Sequence, residues 1–200
     1  MKKNDFRVNL FSAIENGDAN DVRYCILEGI NCFNKSGKTI YQSKEKNILD
    51  IKDQSGKTPL MLASELGKIE AVMFLLQYGA SVNKRDNKGR TALVFASKYG
   101  HVDVALELIE NKAGLDVCTK NKRSALHYAS KYGHEKVAKL LVERGADVYL
   151  RDDRGMPAIM VASSNQVREA IIEGKKICMQ NRIKSRSRNN ALLKEKRERG

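Results

Sequence analysis

The hexapeptide "ASKYGH" fills residues 96–101 and returns at residues 129–134, 33 residues later. Self-similarity at a period between about 20 and 50 residues marks units that stack on one another rather than a single continuous core. Sliding the chain by 33 aligns "DQSGKTPLMLASELGKIEAVMFLLQYGASVN" from Asp53 with "DNKGRTALVFASKYGHVDVALELIENKAGLD" from Asp86, and further frames open at Thr119 and Asp152. The columns agree in kind: Leu60, Leu93, Leu126 and Ile159; Ala63, Ala96, Ala129 and Ala162; Ser64, Ser97, Ser130 and Ser163.

Each frame predicts two short helices with a glycine between them, because Gly67, Gly100 and Gly133 stand where a helix ends on a left-handed residue. In the second helix Val104, Ala105, Leu108 and Ile109 fall on one face at helical spacing. A unit this small cannot bury that face alone, so neighbouring repeats must share a core. An offset of 50 reveals a weaker first unit: Leu10, Ala13, Gly17, Val22, Ile26 and Gly29 match Leu60, Ala63, Gly67, Val72, Leu76 and Gly79. The link between these two units is 17 residues longer than the next one. The excess falls within residues 31–53, where "SGK" and Thr39, Ile40, Tyr41 permit either a hairpin or an irregular loop. Residues 152–174 lack the mid-repeat glycine and are shorter, as expected of a terminal cap.

With "GKTPLMLASELG", "GRTALVFASKYG" and "RSALHYASKYGHEKVAKLLVERGADV" in view, the chain resembles the ankyrin-repeat family over residues 5–174. The expected fold is an all-α ankyrin-repeat solenoid of about five helix-turn-helix repeats with hairpin fingers, followed by a basic C-terminal tail. The repeats are placed at about 5–30, 53–85, 86–118, 119–151 and 152–174, with an insertion at 31–52. The resemblance implies that fingers and first helices line a concave groove. Three departures stand out. The family's histidine after the helix opening is kept only as His127, Lys122 replaces a finger glycine, and Pro157 is displaced.

Charge divides the chain. The net charge is +13, and residues 175–200 hold ten Lys or Arg against two Glu. That segment is expected to be disordered or partly helical. It reads as a solvated end, a docking or nuclear address segment, or a phosphate contact. No run approaches the roughly 18 apolar residues of a membrane span, so membrane insertion is not expected. Cys25, Cys32, Cys118 and Cys178 lack paired spacing, which suits reduced thiols in the cytoplasm or nucleus.

Catalytic chemistry finds little support. "SGKT" at residues 36–39 and 55–58 resembles the end of a phosphate-binding loop, but Cys32 and Ile51 stand where that loop needs its first glycine. The histidines and cysteines form no close ligand pairs. His101, His127 and His134 sit in repeat columns and read as structural. No enzyme activity and no cofactor are expected.

Recognition then falls to the exposed columns of the scaffold. By the resemblance these are the finger tips, including Lys88, Arg90, Lys120, Arg123 and Arg154, and the residues before the mid-repeat glycine. The latter are Glu65 and Leu66, Lys98 and Tyr99, and Lys131 and Tyr132. A tyrosine beside a lysine, presented twice, is an anchor that interfaces favour. The expectation is a monomeric adaptor or scaffold whose basic groove binds an acidic segment of a protein partner. The alternative is a nucleic-acid-associated nuclear regulator that uses the basic fingers and tail without sequence specificity.

Overall fold

The structure, a computed structural model, describes residues 3–34 and 48–198. These residues contain nine α-helices and no strand: α1 (Lys3–Asn16), α2 (Ala19–Asn34), α3 (Pro59–Leu66), α4 (Ile69–Gln77), α5 (Ala92–Tyr99), α6 (Val102–Glu110), α7 (Ala125–Tyr132), α8 (Glu135–Glu143) and α9 (Asn165–Glu198). The all-α repeat architecture is as expected. First helices α1, α3, α5 and α7 pack in series, second helices α2, α4, α6 and α8 pack in a parallel row, and α9 closes the row against α8. The repeat columns lie between the rows: Leu60, Leu93 and Leu126, with Leu75, Leu108 and Leu141, are all buried. None of the described helices is long and apolar enough to cross a membrane.

Each first helix is bounded by the same chemistry. Thr58 and Thr91 accept hydrogen bonds from the backbone N–H of Met61 and Val94, and Ser124 forms a reciprocal cap with His127. Gly67, Gly100 and Gly133 end the helices at φ of 70°, 80° and 82°. Space adds a second demand for glycine: a Cβ on Gly67 or Gly100 would lie 2.6 or 2.4 Å from the ring of His101 or His134. Ser64 Oγ bonds back to Leu60 O at 2.7 Å, as its column predicts, but the buried hydroxyls of Ser97 and Ser130 have no partner.

The fingers are tight turns that repeat one hydrogen-bond pair. The N–H of Asp53, Asp86, Thr119 and Asp152 donates to the carbonyl of Lys57, Arg90, Arg123 and Met156. Lys122 keeps this turn by adopting φ 54° itself, so the missing glycine costs conformational strain without loss of the finger. Adjacent fingers are joined by Asn87 N–H to Ser55 O, Lys120 N–H to Lys88 O and Asp153 N–H to Asn121 O.

Three expectations are revised. The first concerns the insertion: α2 continues to Asn34, and a 3-10 turn at Ile48–Asp50 already lies on the repeat register, ahead of Asp53. Asp50 accepts from Ser81 N–H, Asn83 from Gly114 N–H and Asp116 from Asp147 N–H, each bond spanning 31 residues. Leu49 is buried beside them. The hairpin considered for residues 36–41 lies outside the described residues.

The second revision is that the unit at 152–174 keeps its finger but is no helix-turn-helix. Pro157 occupies the N-cap column of Thr58, Thr91 and Ser124, where it offers no capping oxygen, and it pairs as an isolated bridge with Arg151. The third is that the boundary drawn at 174/175 falls inside α9, which is continuous to Glu198. No proline interrupts this stretch, and its Lys, Arg, Glu, Ala, Leu and Met residues are strong helix formers.

Candidate functional site

The residues before each mid-repeat glycine emerge from the ends of α3, α5 and α7. That position is the last turn before the chain reverses, so its side chains leave the core. Leu66, Tyr99 and Tyr132 are 41%, 41% and 45% exposed.

Here the structure joins what the sequence shows only as separate pairs. Lys98 Nζ lies 4.5 Å from the centroid of the Tyr99 ring and 5.8 Å from that of Tyr132, bridging two repeats by cation–π contact. It also donates to the Tyr99 hydroxyl at 2.9 Å, and that hydroxyl donates to Glu65 Oε1 at 2.9 Å. The hydrogen bond to Tyr99 holds the Lys98 ammonium above the ordinary lysine range, against partial burial. Further along, Lys131 Nζ lies 5.5 Å from the Tyr132 centroid, and Tyr132 stacks on Tyr128 at 6.5 Å. Glu65 is closed off from the other side by Lys57 at 2.5 Å. The acid at the α3 end is therefore neutralised, while Lys98 and Lys131 leave positive charge over an aromatic surface.

The finger cations divide into two kinds. Lys88, Lys120 and Arg154 are exposed at the tips. Arg90 and Arg123, expected beside them as partner contacts, are tied into the fold. Arg90 pairs with buried Asp86 at 2.7 Å and lies 4.4 Å from the Phe95 centroid. Arg123 Nε reaches the next finger, to buried Asp152 at 3.1 Å. The difference follows from one substitution: Thr119 stands in the Asp86 column and accepts the Arg123 N–H with its hydroxyl, but carries no charge to hold the guanidinium.

The histidines hold repeats together. His101 Nε2 donates to Glu65 O and His134 Nε2 to Lys98 O. His127 Nε2 donates to Met156 O, leaving Nδ1 to accept from Ser124. Burial first, with Arg123 nearby, pushes the His127 imidazolium below the ordinary histidine range; Met156 O and Asp152 oppose the shift.

Sequence reading placed Glu65 among the exposed columns but missed its ties to Lys57 and Tyr99. The signal was available, since Glu65 aligns with Lys98 and Lys131 as the one acid in a basic column.

A family model described as ankyrin repeats (3 copies) matches residues 10–121 and 108–181. No curated protein matches the chain.

Proposed function

The chain belongs to the ankyrin-repeat family, and from that premise we propose that it is a non-catalytic adaptor that binds an acidic segment of a protein partner through its first-helix and finger face. Ankyrin repeats are generally protein-protein interaction modules. The observation that carries the specific reading is the bridge of Lys98 between Tyr99 and Tyr132, continued by Lys131. Both rings keep a large exposed area despite their contacts within the chain. Tyrosine offers large contact area with little rotamer entropy to lose, and the lysines select and speed the approach of an acidic segment. Exposed Lys88, Lys120 and Arg154 extend the positive surface along the fingers, whereas Arg90 and Arg123 act by setting finger geometry.

We place it as a monomeric scaffold in the cytoplasm or nucleus, a setting that suits the unpaired cysteine spacing of the sequence.

The test is quantitative affinity capture of partners with wild-type protein and a Tyr99→Ala, Tyr132→Ala variant. Removing two interface anchors is expected to weaken the specific partner at least about 30-fold, as for a loss of about 2 kcal/mol. An unchanged partner set and affinity would remove this face from the proposal.

A further inference from the structure

Helix α9 changes character along its length. Its first turns belong to the fold: Val167 and Ile171 are buried, and Glu173 pairs with Lys139 at 2.9 Å. From Lys175 to Lys194 it then carries seven Lys or Arg and no Asp or Glu. Lys175 lies 4.4 Å from the Tyr149 ring centroid, and Arg182 lines a cleft with Gly145 and Tyr149. Past Arg182, Ile183 is 66% exposed and Lys184 is exposed. The remaining 16 residues to Glu198 make roughly 24 Å of helix.

A helix of that length is marginal by itself in water. Its own charges oppose it further, because Arg182 with Arg186 and Lys184 with Arg188 are like charges at i,i+4, and the first acid is Glu195. A polyanion relieves that repulsion. We propose that α9 beyond Lys175 is a second interaction surface, independent of the tyrosine face, that binds duplex DNA through its phosphates without reading sequence.

Three features select this occupant. A bilayer surface needs a continuous apolar helical face; exposed Ile172, Met179 and Ile183 fall on one side of α9 at about 100° per residue, but Lys176 and Arg186 fall on that same side and interrupt it. Single strands call for aromatic stacking platforms, and α9 contains no Phe, Tyr or Trp. The major groove of B-form DNA, about 12 Å wide, admits an α-helix, whereas that of A-form RNA is deep and narrow. Arg90 and Arg123, held by Asp86 and Asp152, contribute nothing to this surface.

Fluorescence anisotropy with a short labelled DNA duplex of arbitrary sequence tests the proposal on the full chain. Affinity is expected to fall about 10³-fold between 50 and 200 mM salt. The triple variant Lys184→Gln, Arg186→Gln, Arg188→Gln is expected to bind at least about tenfold more weakly, with a log–log salt slope shallower by about 2.7. Its thermal melt should match wild type, since the substitutions follow, in sequence, every α9 contact named above. The Tyr99→Ala, Tyr132→Ala variant should keep full DNA affinity, which separates failure of this proposal from failure of the adaptor reading. No binding at about 50 mM salt, equal binding by the triple variant, or tighter binding to RNA duplex, single strands or phosphatidylserine vesicles would overturn it.

Discussion

His134 Nε2 donates to the carbonyl oxygen of Lys98 at 2.9 Å, so the second copy of "ASKYGH" is hydrogen-bonded to the first. The same ring covers Gly100, where an added Cβ would lie 2.4 Å from Nδ1 at φ 80°. Histidine and glycine thus form one interlocking device between adjacent repeats.

Gly100→Ala is accordingly expected to cost about 2–4 kcal/mol, part backbone strain and part overlap with the ring. In a His134→Ala background only the strain remains, about 1–2 kcal/mol. Urea unfolding of the two single variants and the double variant measures the coupling. Equal costs in both backgrounds would show that the ring does not dictate the glycine.

Arg123 and Lys120 share one finger yet should behave oppositely. Arg123→Ala leaves the buried Asp152 carboxylate without its cation, at a cost of about 3 kcal/mol. Lys120→Ala alters an exposed tip and should stay within about 0.5 kcal/mol. Denaturant midpoints of both variants check this, and equal effects would mean that Arg123 is as free as its neighbour.

Those two residues also show where sequence reading stops. The 33-residue columns disclosed which side chains enter the core, because burial imposes the same residue type at each recurrence, as at Leu60, Leu93 and Leu126. Finger cations carry no such mark. Arg90 finds Asp86 four residues away, while Arg123 finds Asp152 only across a repeat boundary, and nothing in the local sequence separates either from exposed Lys88. The continuity of α9 was hidden for another reason: high charge suggested an end to packing, and the helix-forming propensity of the same residues was outweighed in that reading. The tyrosine pair was visible as a repeat, but its bridge through Lys98 and its tie to Glu65 depend on the stacking distance between α3, α5 and α7.

Acid should unfold the C-terminal repeats by a route that His127 controls. Burial depresses its folded pKa below the unfolded value, so its contribution is complete above about pH 6.5 and is lost as pH falls through the folded pKa. The slope over that window should approach, at most, about 1.4 kcal/mol per pH unit. Asp152 acts at lower pH. Its burial would raise its pKa, but the N–H groups of Met156 and Arg154 and the Arg123 side chain outweigh that and lower it. Its contribution is therefore present above the ordinary Asp range, about pH 4, and is lost below it. Stability measured against pH in wild type and His127→Gln checks the assignment: the variant should be flatter as pH falls below about 6.5, and an unchanged slope would transfer the effect to another group.

The closing role of α9 can be located by truncation. A chain ending at residue 164 loses the burial of Val167 and Ile171, about 1.5–3 kcal/mol each, and uncovers α8, so its Tm should fall sharply. A chain ending at residue 184 retains every α9 contact with the repeats named above and should melt within a degree or two of the full protein. The informative chain ends at residue 174. It keeps the two buried aliphatics but loses the Lys175 contact with Tyr149 and the half-buried Cys178. It also frays the turn around Gly174, where the approach is so close that a Cβ would lie 2.9 Å from Lys139 O. An intermediate Tm is expected. If the 174 and 184 chains melt together, the repeat domain ends energetically at Gly174 even though its last helix does not.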